Sequence, residues 1–170
     1  IQFGLTEFEK INTSDVLKIS KEEKGKYYLK CLKRNKDLLI WDEEKQTGKP
    51  EEIVRQLWLY KLTKVYNYPL DRIQVEQSVN FGREIQEKAA DIIVYKEDKE
   101  TPHIVIEVKN PEAKDGLEQV KSYLNAQGAP IGVLSNGVIK IILYRKYPDQ
   151  FENTLRDIPR VDQTIKDVFE

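Results

Sequence analysis

The sequence predicts an α/β domain in which helices flank a mixed β-sheet. Two observations lead to this prediction: two segments have helical periodicity, and several short β-branched runs alternate with them. The order along the chain is a hairpin, a helix, three strands, a second helix and two strands. We therefore expect a sheet that is antiparallel in its middle, with one crossover through the second helix.

The first half of the chain is expected to hold a hairpin and then a helix. Residues 27–32 and 38–41 are apolar runs on either side of a polar turn, Lys-Arg-Asn-Lys-Asp at 33–37. Pro50 suits the first helical position, and the two glutamates that follow it favour a helix start. This helix should end near Asn67.

Three strands should follow the first helix. Residues 73–79 alternate apolar and polar side chains, which is typical of a half-buried strand. Residues 81–84 should turn the chain into a strand over 90–94, and a further β-branched run covers 104–109.

The rest of the chain should add a helix, two strands and a tail. The second helix is expected from about 115 to 126, followed by strands at 131–134 and 138–144. Ser-Asn-Gly at 135–137 joins these strands and favours a type I′ turn. The polar tail has one short helical candidate at 161–169.

Charged residues interrupt two of the apolar strands. Asp91 starts one run, and Glu107 and Lys109 lie in the next, where alternation places both on one face. A buried carboxylate costs several kcal/mol, on the order of the penalty per ion, unless it is paired or binds a metal. Two carboxylates and a lysine that converge on adjacent strands would form a site for a hard divalent cation.

Composition limits the class of protein. The 170 residues are enough for about one domain, and the net charge of −1 is unlike that of a strongly basic domain that holds nucleic acid by itself. The single cysteine, Cys31, excludes an internal disulfide framework and a multi-cysteine metal site. Without a signal peptide or membrane-length apolar run, we expect a cytoplasmic protein. The start at Ile1 and the lack of methionine suggest a fragment of a longer protein.

Two motifs resemble a nuclease family. Asp91 with Glu-Val-Lys at 107–109 resembles the PD-(D/E)xK nuclease signature, and Gln-Val-Lys-Ser-Tyr at 119–123 resembles the QxxxY motif of one branch of those nucleases. Residues 50–56 and Val-Glu at 75–76 resemble the N-terminal domain of the restriction (R) subunit of type I restriction-modification enzymes. The E-x-K string alone is a weak signal, whereas the combination in this order is much more specific.

The resemblance covers roughly residues 48 to 145. It implies a restriction-endonuclease-like mixed sheet core flanked by helices at 48–146, an N-terminal β-hairpin extension at 1–47, and a tail at 147–170 that leads towards a motor absent from this chain. Ala90 stands where the family signature has proline. Because that proline is not a ligand, the metal argument is unaffected.

The resemblance also implies site chemistry. Asp91 and Glu107 would bind Mg²⁺, or Mn²⁺ as a substitute, with the Val108 backbone carbonyl as a third ligand. Lys109 would hold or deprotonate the attacking water and stabilise negative charge. The supporting residues would be Glu52, Gln119 and Tyr123, the last two sharing one helix face.

Several of these residues have simpler explanations. Acidic residues at a helix start, as at 51–52, stabilise the helix dipole without any further role. Arg55 and Gln56 fit an ordinary helix surface as well as they fit intramolecular or DNA contacts, and Glu76 would be either solvated or a partner of Arg55. His103 is expected to be exposed and inert, and the basic turn at 33–36 to be solvated or in contact with phosphate.

The resemblance implies an Mg²⁺-dependent endonuclease domain of a type I R subunit. It would cut duplex DNA, and the modification and specificity subunits would associate through the full-length subunit. ATP would enter only through the motor, since this chain has no G-x-x-x-x-G-K-[ST] string. Two alternatives stay open: a non-catalytic nucleic-acid-binding or assembly module with a degenerate nuclease fold, and another repair nuclease of the same superfamily.

Overall fold

The computed structural model describes residues 5–79, 88–113 and 115–170, which form two β-sheets and three α-helices. The helices are α1 (Thr13–Val16), α2 (Glu51–Lys64) and α3 (Leu117–Gln127). Across these three stretches, no helix has the length and apolar character needed to cross a membrane. The predicted turn at 81–84 lies outside the described residues.

An antiparallel sheet of four strands precedes the main sheet. It contains β1 (Ile19–Glu22), β2 (Lys26–Lys30), β3 (Asp37–Asp42) and β4 (Thr47–Gly48), in that spatial order. The predicted hairpin is confirmed as β2 and β3. The sequence did not predict β1 or β4, because neither has enough apolar alternation to identify a strand.

The main sheet has six strands and confirms the predicted mixed α/β class. In chain order they are β5 (Ile73–Val79), β6 (Lys88–Tyr95), β7 (Pro102–Val108), β8 (Ile131–Ser135), β9 (Lys140–Tyr147) and β10 (Gln150–Glu152). Their spatial order is β10-β9-β8-β7-β6-β5. Among the strands that the structure describes, only β7 and β8 pair in parallel, and α3 makes the crossover between them.

The two helices cover opposite faces of this sheet. On the α2 side, Leu57 and Trp58 are fully buried with the sheet residue Ile106 in one apolar cluster. On the other side, Val120 and Leu124 of α3 pack in a second cluster. A Cβ at Gly132 would lie 2.7 Å from atoms of both of these side chains, so the absence of a side chain there lets α3 approach the sheet closely.

Three local predictions need correction. A type I′ turn requires two consecutive positive φ angles. Gly137 has a φ of 86°, but neither of its neighbours has a positive φ, so the turn is of another type. Strand β9 begins at Lys140 and not at residue 138. The helical candidate at 161–169 is reduced to a 3-10 turn at Ile165–Val168. His103 is half-buried beside the Tyr68 ring, with 6.4 Å between ring centroids, and is not exposed.

The C-terminal segment packs back on the end of α2. Tyr66 donates a hydrogen bond to Asp157 at 2.8 Å, and Tyr68 donates one to the Pro159 carbonyl at 2.7 Å. Ile158 is buried in the same cluster as Trp58. The division of the chain at residues 47 and 146 stays a prediction.

Candidate active site

The candidate carboxylates lie where the β6–β7 ladder ends. The last regular pair at this end of the ladder is Ile92 with Ile106. Asp91 and Glu107 are the next residues on their strands and therefore face each other across the gap. Alternation along β7 places Lys109, just after the strand, on the same face as Glu107.

Asp91 is held by two donors. Its Oδ2 accepts a hydrogen bond from the Val108 backbone N–H at 2.9 Å, and its Oδ1 accepts one from the Arg55 guanidinium. The side-chain carboxylate thus takes the position that a further ladder bond would occupy. Because both neutral and charged donors bind it, the orientation of Asp91 is well defined.

Glu107 is buried, and within the described structure only one of its two carboxylate oxygens accepts a hydrogen bond. The residue is 4% exposed, and its Oε1 accepts a hydrogen bond from Lys109 Nζ at 3.2 Å. Its Oε2 is buried and has no hydrogen-bond partner among the residues that the structure describes. Burial, followed by the adjacent Asp91 carboxylate, raises the pKa of Glu107 to about 8. Lys109 thus supplies a positive partner at Oε1, whereas Oε2 is left uncompensated within the described residues.

A chain of hydrogen bonds joins Lys109 to helix α3 and to β6. Lys109 Nζ donates to Gln119 Oε1 at 3.1 Å, and Gln119 Nε2 donates to the Tyr123 hydroxyl at 2.7 Å. That hydroxyl donates to the Ala89 carbonyl at 3.3 Å. Gly116, before α3, has a φ of 120°, and a Cβ there would lie 2.7 Å from Lys109 Cε. Glycine at this position leaves room for the lysine.

Two arginines form a second cluster beside Asp91. Glu52 is 5% exposed and binds Arg55 at 2.5 Å and Arg34 at 3.1 Å. Glu76 binds the same two arginines at 3.4 Å and 2.7 Å, respectively. Arg55 therefore lies between Glu52 and Asp91, and Glu52 acts on Asp91 through the arginine. Of the two roles considered for Glu76, the structure confirms that of a partner for Arg55.

The backbone is irregular at Glu76. This residue has a φ of 53°, and the β5–β6 pairing passes from Val75–Ile92 to Gln77–Ala90 without a pair between Glu76 and Asp91. A positive φ in a non-glycine residue inside a strand is unfavourable and persists only where its surroundings hold it. The two arginines that bind the Glu76 carboxylate provide that restraint.

A comparison with known protein families identifies the family of this chain. The family model for the type I restriction enzyme R protein N terminus matches residues 50–159, which is more than half of the chain and includes the candidate site. The chain belongs to this family. A search of curated proteins found no significant match. The four-stranded N-terminal sheet of this R-protein domain lies outside the matched residues.

The site of this R-protein domain has donors that suit a hard cation. Asp91 and Glu107 offer carboxylate oxygens, and Val108 is placed beside them by its bond to Asp91. Among residues 5–79, 88–113 and 115–170, no group of three His, Cys, Asp or Glu side chains could hold a metal. Magnesium commonly binds through one or two carboxylates and keeps several waters, so two carboxylates are sufficient. The buried, unpartnered Glu107 Oε2 fits such an ion.

Sequence reasoning did not assign Arg34 and Arg55 to the site. Arg55 lies three residues after Glu52 on α2, a spacing that brings side chains together on a helix, so its pairing was detectable. No local sequence pattern indicated that Arg34 would contact the site. It lies in the turn between β2 and β3 and reaches the site only because the N-terminal sheet packs beside α2.

Proposed function

We propose that this domain is the Mg²⁺-dependent endonuclease of a type I restriction R protein and cleaves phosphodiester bonds of duplex DNA. The observation that carries the proposal is the facing pair Asp91 and Glu107, with a buried Glu107 oxygen that lacks a partner within the described structure. Membership of the R-protein family supports a restriction-enzyme role. We further propose a cytoplasmic location and association with the modification and specificity subunits through the full-length subunit, where a motor would use ATP.

The side chains suggest a division of roles. Asp91 and Glu107, with the Val108 carbonyl, would hold Mg²⁺ or Mn²⁺, and a bound ion supplies charge neutralisation and an acidified water. Lys109 would hold the attacking water and stabilise charge on the phosphate, and its Nζ lies 3.2 Å from Glu107 Oε1. Gln119 fixes the lysine head group from α3.

The remaining residues position this set. Tyr123 orients Gln119 and bonds to β6 through the Ala89 carbonyl. Arg55 orients Asp91, and Glu52 holds Arg55 in place. Glu52, Gln119 and Tyr123 thus have supporting roles in the proposal.

Titration calorimetry with MgCl₂ and MnCl₂ tests the proposal directly. The wild-type domain should bind one or both ions, whereas Asp91→Asn should bind neither measurably. Asp162→Asn is the matched control, because Asp162 is exposed in the C-terminal segment. If wild type binds no metal, or if Asp91→Asn binds as wild type does, the proposed site is wrong.

Glu107→Gln separates loss of the metal site from loss of the fold. The amide keeps an acceptor for Lys109 and adds a donor that can face Asp91, so the metal-free variant should be at least as stable as wild type to urea. Its metal binding should nevertheless be lost. A folded Glu107→Gln variant that binds metal like wild type would also contradict the proposal.

One observation favours a second candidate, the non-catalytic binding module. Arg55 already occupies Oδ1 of Asp91, as expected for a structural ion pair in a degenerate site. That candidate predicts metal binding that is absent or unaffected by Asp91→Asn. The same calorimetric titration therefore decides between the two functions.

A further inference from the structure

An open pocket of about 370 Å³ lies between β3–β4 and the beginning of α2. Its lining includes three cationic residues, Arg34, Lys36 and Lys49, and the two carboxylates Glu52 and Glu76. These carboxylates belong to the arginine cluster beside Asp91. The pocket thus adjoins the candidate active site.

The charges in this pocket are not balanced. Glu52 and Glu76 each bind both Arg34 and Arg55, and Arg55 also binds Asp91, so two arginines share three carboxylates. Lys36 and Lys49 are exposed, and in the described part of the chain neither ammonium group forms an ion pair or a hydrogen bond. The two lysines outnumber the one carboxylate that the arginines leave uncompensated, and the resulting excess of positive charge favours an anionic ligand.

Both lysines stand on fixed backbone. The Lys36 carbonyl accepts a hydrogen bond from the Cys31 N–H at 2.9 Å, which closes the turn between β2 and β3. The Lys49 N–H donates to the Ile40 carbonyl at 2.9 Å, which holds the start of α2 against β3. The segments on the two sides of β3 are thereby held at one pocket.

Only two ion pairs separate this pocket from the candidate metal ligands. Glu52, which lines the pocket, binds Arg55, and Arg55 binds Asp91. One strand of duplex DNA carries a phosphate about every 3.4 Å along the axis. DNA with its scissile bond near Asp91 would therefore present neighbouring phosphates to the pocket. The domain has a net charge of −1, so such contacts must come from a local patch.

We propose that Lys36 and Lys49, beside the anchored Arg34, bind backbone phosphates of duplex DNA next to the candidate active site. This inference rests on the proposed nuclease function and extends it to the N-terminal sheet, which lies outside the residues matched by the family model. The contacts position DNA without reading its sequence, because they engage phosphates rather than base edges.

Fluorescence anisotropy with a labelled random-sequence duplex, in EDTA and over a series of salt concentrations, tests the inference. The Lys36→Gln/Lys49→Gln variant should bind with a Kd raised about tenfold at low salt, and its log Kd against log salt slope should fall by about 2. The control, Lys64→Gln/Lys166→Gln, removes the same charge at two exposed positions that do not line the pocket, and Lys64 lies at the other end of α2, about 20 Å from Lys49. Its affinity and slope should match those of wild type.

The inference is overturned if wild type does not bind the duplex at low salt, or if the two double variants lose affinity equally. Failure here is distinguishable from failure of the proposed function, because the metal titration of Asp91→Asn is independent of both lysines. Metal binding with no effect of the lysines would leave the nuclease proposal standing alone. An effect of the lysines without metal binding would leave a DNA-binding module.

Discussion

Arg55 should contribute more to stability than any exposed ion pair of this domain. Its side chain is 5% exposed and contacts Asp91, Glu52 and Glu76. Removing one partner of a buried charge network costs about 3–5 kcal/mol, because the remaining charges are left buried without compensation. Glu52 and Glu76 would keep Arg34, and Asp91 would keep the Val108 N–H. We therefore expect a loss near the lower bound, about 3 kcal/mol, for Arg55→Met.

Urea denaturation measures this loss through the fluorescence of the buried Trp58. For a slope of about 1–3 kcal/mol per molar urea, the midpoint of unfolding should fall by about 2 M. Lys99→Met is the control, because Lys99 forms an ion pair with Asp71 in which both side chains are more than half exposed. That variant should show little measurable change. Arg55→Lys should lie between wild type and Arg55→Met, since lysine keeps the charge but not the planar fork.

The reasoning would be refuted by an Arg55→Met variant that loses less than about 1 kcal/mol. A second readout links the result to the candidate site. Without the guanidinium, Asp91 lacks its positive partner, so added Mg²⁺ should recover more stability in Arg55→Met than in wild type. Equal recovery in both proteins would mean that the arginine and the ion do not share the Asp91 carboxylate.

Two further predictions concern other parts of the fold. Burial, with the nearby Lys96 and Arg72, lowers the pKa of His103 to about 4, so the folded domain binds this proton less well than the unfolded chain. The contribution of neutral His103 to the free energy of unfolding is therefore fully present above pH 6.5, and it is lost as the pH falls through about 4. His103→Phe should remove up to about 3 kcal/mol of this pH dependence in urea titrations at pH 7 and pH 4, and an unchanged profile would contradict it. Gly132→Ala places a Cβ 2.7 Å from Val120 and Leu124, and thermal unfolding should show a loss of about 1–3 kcal/mol; an unchanged midpoint would mean that α3 shifts freely.

Local sequence patterns were sufficient to predict most strands of the main sheet and the placement of Glu107 and Lys109 on one face of β7. The alternation in 73–79 and the β-branched runs around Asp91 and Glu107 depend on neighbouring residues only, and β5, β6 and β7 form where these patterns predict. The same alternation correctly placed Glu107 and Lys109 together. Pro50 with the following glutamates located the start of α2 to within one residue.

Tertiary packing determined what the sequence could not show. Arg34 joins the site because the N-terminal sheet packs beside α2, and nothing in residues 33–37 records that contact. His103 is half-buried because Tyr68 packs against it from another part of the chain. The turn after β8 differs from its dipeptide signal because the Asn136 side chain accepts hydrogen bonds from the N–H groups of Val138 and Ile139.

The hydrogen-bond chain on α3 has a mechanical consequence. Strands β6 and β7 are no longer joined by ladder bonds beyond Ile92 and Ile106, so the spacing between Asp91 and Glu107 is not set by the sheet itself. Helix α3 connects the two sides of that opening, because Gln119 binds Lys109 just after β7 and Tyr123 binds the Ala89 carbonyl of β6. The distance between the two carboxylates therefore depends on the Asp91–Val108 hydrogen bond and on the position of α3 together, so a tilt of this helix acts directly on the site.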